Sequence, residues 1–259
     1  MSYIDKYKNR VRTNGEDLGE AYSNNTIAFI ESTFASSPTF RRLKVESYEK
    51  PHITEMDARV VEVERLGTLR EVLFRPTSED LNEGTYIKFD NFTWLIYDTY
   101  DKKALVAQCN KKLKWYDKEG KLHNFDCIAS ASDVGSKAKQ SKNEIEWNKY
   151  DVNLPVGQLF VFVEYRPETE KIDLGHRFLF GRNAYEIIGV DDNTVIREID
   201  GKSVGVIQFI ARITTKNEKD NFETGIAYNH YKVENIIITE PKTITNKDDE
   251  KDVDNEVIW

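Results

Sequence analysis

Between Phe40 and Thr239 the chain keeps returning to one unit: a short run of alternating or β-branched and aromatic residues, then a turn rich in Asp, Asn, Gly or Lys. Alternation sends successive side chains to opposite faces of a sheet, so this pattern demands a β fold. A first series is expected at Phe40–Tyr48, Ala58–Val63, Leu69–Phe74, Thr85–Phe89, Thr93–Tyr97, Ala104–Cys109, Lys112–Tyr116 and Leu122–Ile128. Asp90-Asn91-Phe92 and Asp117-Lys118-Glu119-Gly120 supply the hairpin turns. A second series runs through Gln158–Tyr165, Arg177–Phe180, Tyr185–Val190, Thr194–Ile199, Val206–Ile213, Gly225–Val233 and Ile236–Thr239. The dense run QLFVFVEY at Gln158–Tyr165 predicts a strand buried on both faces.

The segments flanking and dividing these series set the domain plan. Residues 1–39 read as a helical segment: Thr13 and Glu16 have capping-box spacing, and Leu18, Tyr22, Thr26, Phe29, Ile30, Thr33 and Phe34 make one apolar face. Leu18, Tyr22, Phe29, Ile30 and Phe34 are candidate interface residues, because a lone helix must rest on its own domain or on a neighbour. The first β module is expected at 40–129 and the second at 144–240. Between them, 130–143 (beginning SASDVGSK) is small and polar and reads as a flexible loop. After Pro241 an Asp/Glu/Lys-rich tail, 241–259, cannot bury enough surface to order itself, although its last residue, Trp259, is a further candidate contact. The expected fold is therefore mainly β, with an N-terminal helical segment, two β-barrel or β-sandwich modules and a disordered acidic C-terminal tail. YIKFDNFTWLIYD and RFLFGRNAYEIIGVDD share a strand, turn, aromatic strand and acidic exit. Both a duplicated module and common hairpin grammar account for that.

The chemistry-bearing residues do not converge. His52, His123, His176 and His230 lack ligand spacing, so each is expected at a strand edge or in a loop, with no metal and no cofactor. No nucleophile elbow, phosphate loop or dinucleotide fingerprint is present, and no catalytic residue is assigned. Cys109 and Cys127 are expected to fill small apolar sites rather than to pair. The net charge of −8 argues against duplex binding, which needs clustered cations. CNKKLKWYDKEGK could stack single-stranded bases, but the acidic total favours the plainer reading, a solvent-facing strand anchored by Trp115. MSYIDKYKNRVR has no apolar core of a signal peptide, and no stretch is apolar enough to span a bilayer.

In pattern and order the chain resembles virion proteins of tailed phages of Gram-positive bacteria, related in role to head-closure (stopper) and connector subunits. The resemblance is carried by IDKYKNRVRTNGEDLGEAYSNNTIAFIESTFASSPTFRRLKV, REVLFRP, EGTYIKFDNFTWLIYD, AQCNKKLKWYDKEGKLHNFDC, RFLFGRNAYEIIGVDD and ETGIAYNHYKV. It implies a non-enzymatic subunit that forms a sixfold or twelvefold ring with copies of itself. That ring would sit in the neck of the virion against portal or adaptor and tail proteins, with double-stranded DNA passing through unread. Ser132, Asp133, Val134, Gly135, Ser136 and Lys137 are then candidates for a loop gating the lumen. The chain is longer than a one-barrel stopper, which leaves adaptor, tail-side collar, tail-completion and baseplate roles open. A β-sandwich carbohydrate module is the further alternative, and it would need Trp94, Trp115 and Trp147 exposed on one face.

Overall fold

A computed structural model of the chain describes residues 3–4, 15, 17–63, 68–131, 154–191, 196–199 and 201–229. A helix, α1 (Leu18–Thr33), runs through a short 3-10 turn (Phe34–Ser36) into the β fold. Six antiparallel strands follow: β1 (Phe40–Glu46), β2 (Glu55–Glu62), β3 (Leu69–Phe74), β4 (Tyr86–Phe89), β5 (Phe92–Tyr100) and β6 (Lys103–Gln108). They close into a barrel in the order β1-β2-β3-β6-β5-β4, with β4 pairing back onto β1. Leu43, Val45, Met56, Ala58, Val72, Phe74, Ile87, Phe89, Trp94, Ile96, Ala104 and Val106 point inward. Each strand contributes every second residue, the period that the alternation in the sequence predicts.

The second sheet holds β7 (Lys111–Tyr116), β8 (Leu122–Ser130), β9 (Gln158–Glu164), β10 (Arg177–Phe180), β11 (Asn183–Asp191), β12 (Ile196–Ile199) and β13 (Lys202–Thr214). Its order is β10-β11-β13-β9-β8-β7, with β12 paired to β13. The ends come together without a ladder: Trp115 of β7 meets Phe178 of β10 edge-on at 6.0 Å. The module boundary expected at 130–143 is therefore displaced. β7 and β8 hydrogen-bond into the second sheet, and the first module ends after Gln108. The segment after Ala131 is long and polar, as a divider would be, yet β8 and β9 on either side of it pair with each other. Residues 132–143 themselves, including the six candidate gating residues, lie outside the described residues.

The two sheets repeat one topology. In each, three consecutive antiparallel strands are followed by a hairpin, and the last strand returns to pair with the third. The repeat extends to single hydrogen bonds at a constant step of 91 residues (Gly84 to Gly175). Gly84 N–H donates to Ile96 O and Ile96 N–H to Thr85 O; Gly175 N–H donates to Ile187 O and Ile187 N–H to His176 O. Leu81 and Ile172 plug the two cores at the same position. β5 is bulged between Ile96 and Asp98, and β11 between Ile187 and Gly189. Residues 75–98 and 166–189 align without a gap, with Arg75/Arg166, Pro76/Pro167, Glu79/Glu170, Gly84/Gly175, Phe89/Phe180 and Ile96/Ile187 identical. The likeness of the YIKFDNFTWLIYD and RFLFGRNAYEIIGVDD hairpins is thus part of a duplicated module.

A third apolar cluster joins the modules. Leu69, Tyr86, Leu95 and Ala107, on the outer face of the first barrel, pack on Ile128, Phe160, Phe162 and Val206 of the second sheet. β9 is buried on both faces as expected, since Val161 and Val163 face its own core. Gly84 and Gly205 meet backbone to backbone at this junction, where a Cβ on Gly84 would collide with Gly205 O. Polar bonds fix the docking. Tyr48 N–H donates to Glu164 Oε1 at 3.2 Å, Tyr86 O–H donates to Asp126 O at 2.5 Å, and Arg197 pairs with Glu83 at 3.2 Å.

α1 begins later than its expected capping box. Asp17 is the N-cap, accepting from Glu20 N–H at 2.8 Å; Thr13 and Glu16 lie outside the described residues. The strand expected at Gly225–Val233 is absent up to Asn229. Residues 215–229 instead form a strap, held by side chains and an isolated Asn221–Ile226 bridge. The Asp220 carboxylate, fully buried, takes two hydrogen bonds from Arg177 (3.0 and 2.9 Å) and one each from Asn217 N–H and Tyr228 N–H. Asn229 satisfies both backbone groups of Arg177 on the edge of β10, and Lys114 of β7 donates to Thr224 O. The strap thus touches both strands that the second sheet leaves unpaired. The tail at 241–259 and the expected contact at Trp259 lie outside the described residues.

Candidate functional site

A cluster of aromatic and titratable side chains lies at one end of the second barrel. Cross-strand pairing in the β7–β8 hairpin sets Trp115 opposite His123. Their rings stack at 5.0 Å, Phe125 stacks on Trp115 at 5.5 Å, and His176 and Phe178 meet Trp115 edge-on. His123 and His176 are thus buried members of an aromatic cluster; His176 lies in the loop before the edge strand β10, as expected, whereas His123 lies within β8 and not at an edge or in a loop. Period-two alternation places both inward, a signal present in the sequence but masked by the usual polarity of histidine.

His123 Nε2 lies 2.7 Å from Asp117 Oδ2, and Asp117 Oδ1 accepts from Glu119 N–H and Lys121 N–H at 2.9 and 2.8 Å. Burial raises the Asp117 pKa, but the hydrogen bonds from His123, Lys121 and Glu119 outweigh it and bring it down to about 2. The carboxylate closes the five-residue turn 117–121. Above this floor opens a cavity of about 550 Å³. Its walls are Asp117, Lys118 and Glu119 of the turn and Glu168, Lys171, Asp173 and Leu174 of the segment before β10. The His–Asp pair orders the turn, and none of these wall residues carries a hydroxyl or thiol. The volume and the aromatic floor suit a bound side chain or small ligand.

The candidate interface residues divide. Tyr22 and Phe29 are each 69% exposed, and Ile27 is also exposed. Ile30 is half-buried. Phe34 is fully buried in its own chain, which removes it from the interface. The guanidinium groups of Arg59 and Arg75 cover its ring at 4.7 and 4.8 Å, and Phe40 meets it edge-on. Arg59 also donates to Thr33 O and Phe34 O, and Arg75 pairs with Glu31 at 2.8 Å. These contacts all hold the last turn of α1. Along the helix before it, from Tyr22 to Phe29, every residue is exposed.

Trp94 and Trp115 are buried in the two cores, which removes the aromatic platform a carbohydrate module would present; Trp147 lies outside the described residues. Burial of Trp115 likewise leaves the CNKKLKWYDKEGK stretch without a stacking surface at that residue. Cys127 sits in the second core and Cys109 against the inter-barrel cluster, both as free thiols. Among the described residues no helix is long and apolar enough to cross a membrane.

No curated protein matches the chain. Among solved structures it aligns with one titled "MrkH, A novel c-di-GMP dependence transcription regulatory factor.". The identity is 8%, with 76% of this chain and 85% of that chain covered, and the TM-score of 0.20 carries no argument. Residues 111–212, from the first residue of β7 to near the end of β13, match the model of the YomX C-terminal domain. That is a phage-type family, and the similarity points to a phage protein.

Proposed function

We propose that the chain is a non-enzymatic structural subunit of a tailed phage, assembling as a ring in the neck that closes the filled head and joins it to the tail. The observation that carries this reading is the state of α1. A 16-residue helix is marginal by itself in water; the described side-chain contacts from the barrel reach its last turn, while Tyr22 and Phe29, seven residues apart on one face, are exposed. Packing that face on a neighbouring subunit removes apolar surface from water and stabilises the helix together. The duplicated barrels give a stiff body on which such a contact repeats by symmetry. The acidic surface, at net charge −8, keeps free subunits apart and does not grip DNA phosphates.

Cryo-electron microscopy of the intact particle tests the placement. The expected result is a ring of this fold between portal and tail, with α1 against the adjacent subunit. Density for the chain at the tail tip moves it to a baseplate or tail-completion role. Its absence from purified particles overturns the structural reading.

A further inference from the structure

The internal duplication allows the two barrel mouths to be compared residue by residue. At the first barrel the mouth is filled. The eight-residue loop 47–54 between β1 and β2 folds over it. Lys50 Nζ donates to Asp80 O at 2.6 Å, Glu49 accepts from Asn82 Nδ2 at 2.5 Å, His52 lies 3.3 Å from Glu79, and Ile53 packs on the core. The 91-residue step carries Glu79, Asp80 and Asn82 onto Glu170, Lys171 and Asp173. At the second barrel the loop corresponding to 47–54 is only the tight turn 117–121, and the cavity of about 550 Å³ stands where the plug would lie.

We propose that the second barrel mouth binds a peptide segment of a partner protein, one carrying a lysine or arginine beside an apolar side chain. The first barrel already holds such a segment in cis, with Lys50 next to Pro51, His52 and Ile53. Charge supports the same occupant: the open mouth presents Asp117, Glu119, Glu168 and Asp173 against Lys118 and Lys171. The apolar neighbour is received by Leu174 and the aromatic floor. This site is independent of where the chain sits in a particle.

The test uses the full chain, ¹⁵N-labelled, and a synthetic peptide of residues 47–54, Ser-Tyr-Glu-Lys-Pro-His-Ile-Thr. The indole N–H resonance of Trp115 reports the second barrel and that of Trp94 the first. The expected result is a saturable shift of Trp115 with a dissociation constant of about 1 mM or tighter, while Trp94 stays still. Lys50→Glu in the peptide, or Asp173→Lys in the protein, weakens binding about tenfold. Asp173 is exposed, and the peptide control needs no protein variant at all. No saturable Trp115 shift up to about 10 mM overturns the proposal. So does equal binding of the Lys50→Glu peptide. A Trp115 shift on diluting the protein alone assigns the mouth to a second copy of the chain and overturns it as well.

Discussion

Replacing Asp220 by alanine tests whether the strap at 215–229 is held by one buried ion pair. The carboxylate has no exposed surface and Arg177 is 14% exposed, so the substitution strands a guanidinium in a dry site. Breaking a buried pair from one side costs about 3–5 kcal/mol. For a chain of this size that lowers the melting temperature by roughly 10 °C. Burial raises the Asp220 pKa, but the hydrogen bonds from Arg177, Asn217 and Tyr228 outweigh it, so the folded value lies below 3.8. A depressed folded pKa means that the pair's contribution is complete above pH 3.8 and is lost as pH falls through the folded value. Urea titrations of wild type, Asp220→Ala, Arg177→Leu and the double variant measure the coupling. The double variant should lose less than the two single losses added together, because removing both charges leaves none unpaired. A loss below about 1 kcal/mol for Asp220→Ala, or strict additivity, refutes the reasoning.

Three other perturbations have definite outcomes. Phe29→Asp replaces an exposed ring, so monomer stability should change by no more than about 0.5 kcal/mol while ring assembly, followed by light scattering, is lost. Gly84→Ala meets both a positive φ of 87° and the backbone of Gly205, so it should cost about 2 kcal/mol or more and expose the inter-barrel cluster to hydrogen exchange. Burial raises the Glu164 pKa to about 7, despite the Arg166 ion pair at 2.5 Å and the Tyr48 N–H, with Glu46 pushing it the same way as burial. The folded chain therefore holds this proton more tightly than the unfolded chain, whose value is 4.5, and Glu164 favours folding less as pH rises from 4.5 to 7. The difference between wild type and Glu164→Gln in urea titrations should change by about 3 kcal/mol across that window, and a flat difference would contradict the assignment.

The alternation of apolar residues made the strands legible, and the turn chemistry placed the hairpins. Arg177–Phe180 and Leu69–Phe74 have the bounds expected of them, and Asp90 and Asn91 adopt the left-handed conformations (φ 50° and 65°) that their turn requires. What alternation cannot carry is partner choice. Lys112–Tyr116 reads the same whether its strand closes the first barrel or opens the second, because a ladder is fixed by contacts far away in sequence. The Asp17–Glu20 cap was readable, since Asp-Leu-Gly-Glu has capping-box spacing, but the earlier Thr13–Glu16 pair has the same form. For Phe34 the sequence offers only a helical phase. Its burial comes from Arg59 and Arg75, two residues whose charge disguises a flat apolar stacking surface.

The duplicated module explains why the mouth of the second barrel escaped a reading of motifs. Its features are not a constellation of reactive types; they are the difference between two copies. Arg75-Pro76 and Arg166-Pro167 open the same segment, and the core, the bulge and the glycine turn have been kept in both copies. The first copy spends loop 47–54 on its own mouth, and the same loop reaches Glu164 through Tyr48, so that plug also docks the barrels. Among the described residues the second copy has no such partner for its corresponding turn. Its tight turn at 117–121 fixes Asp117 and His123 against the floor and leaves the opening to something else. In a duplicated fold, the position where one copy fills a space and the other leaves it open is therefore where binding is to be sought, even when no residue there looks catalytic.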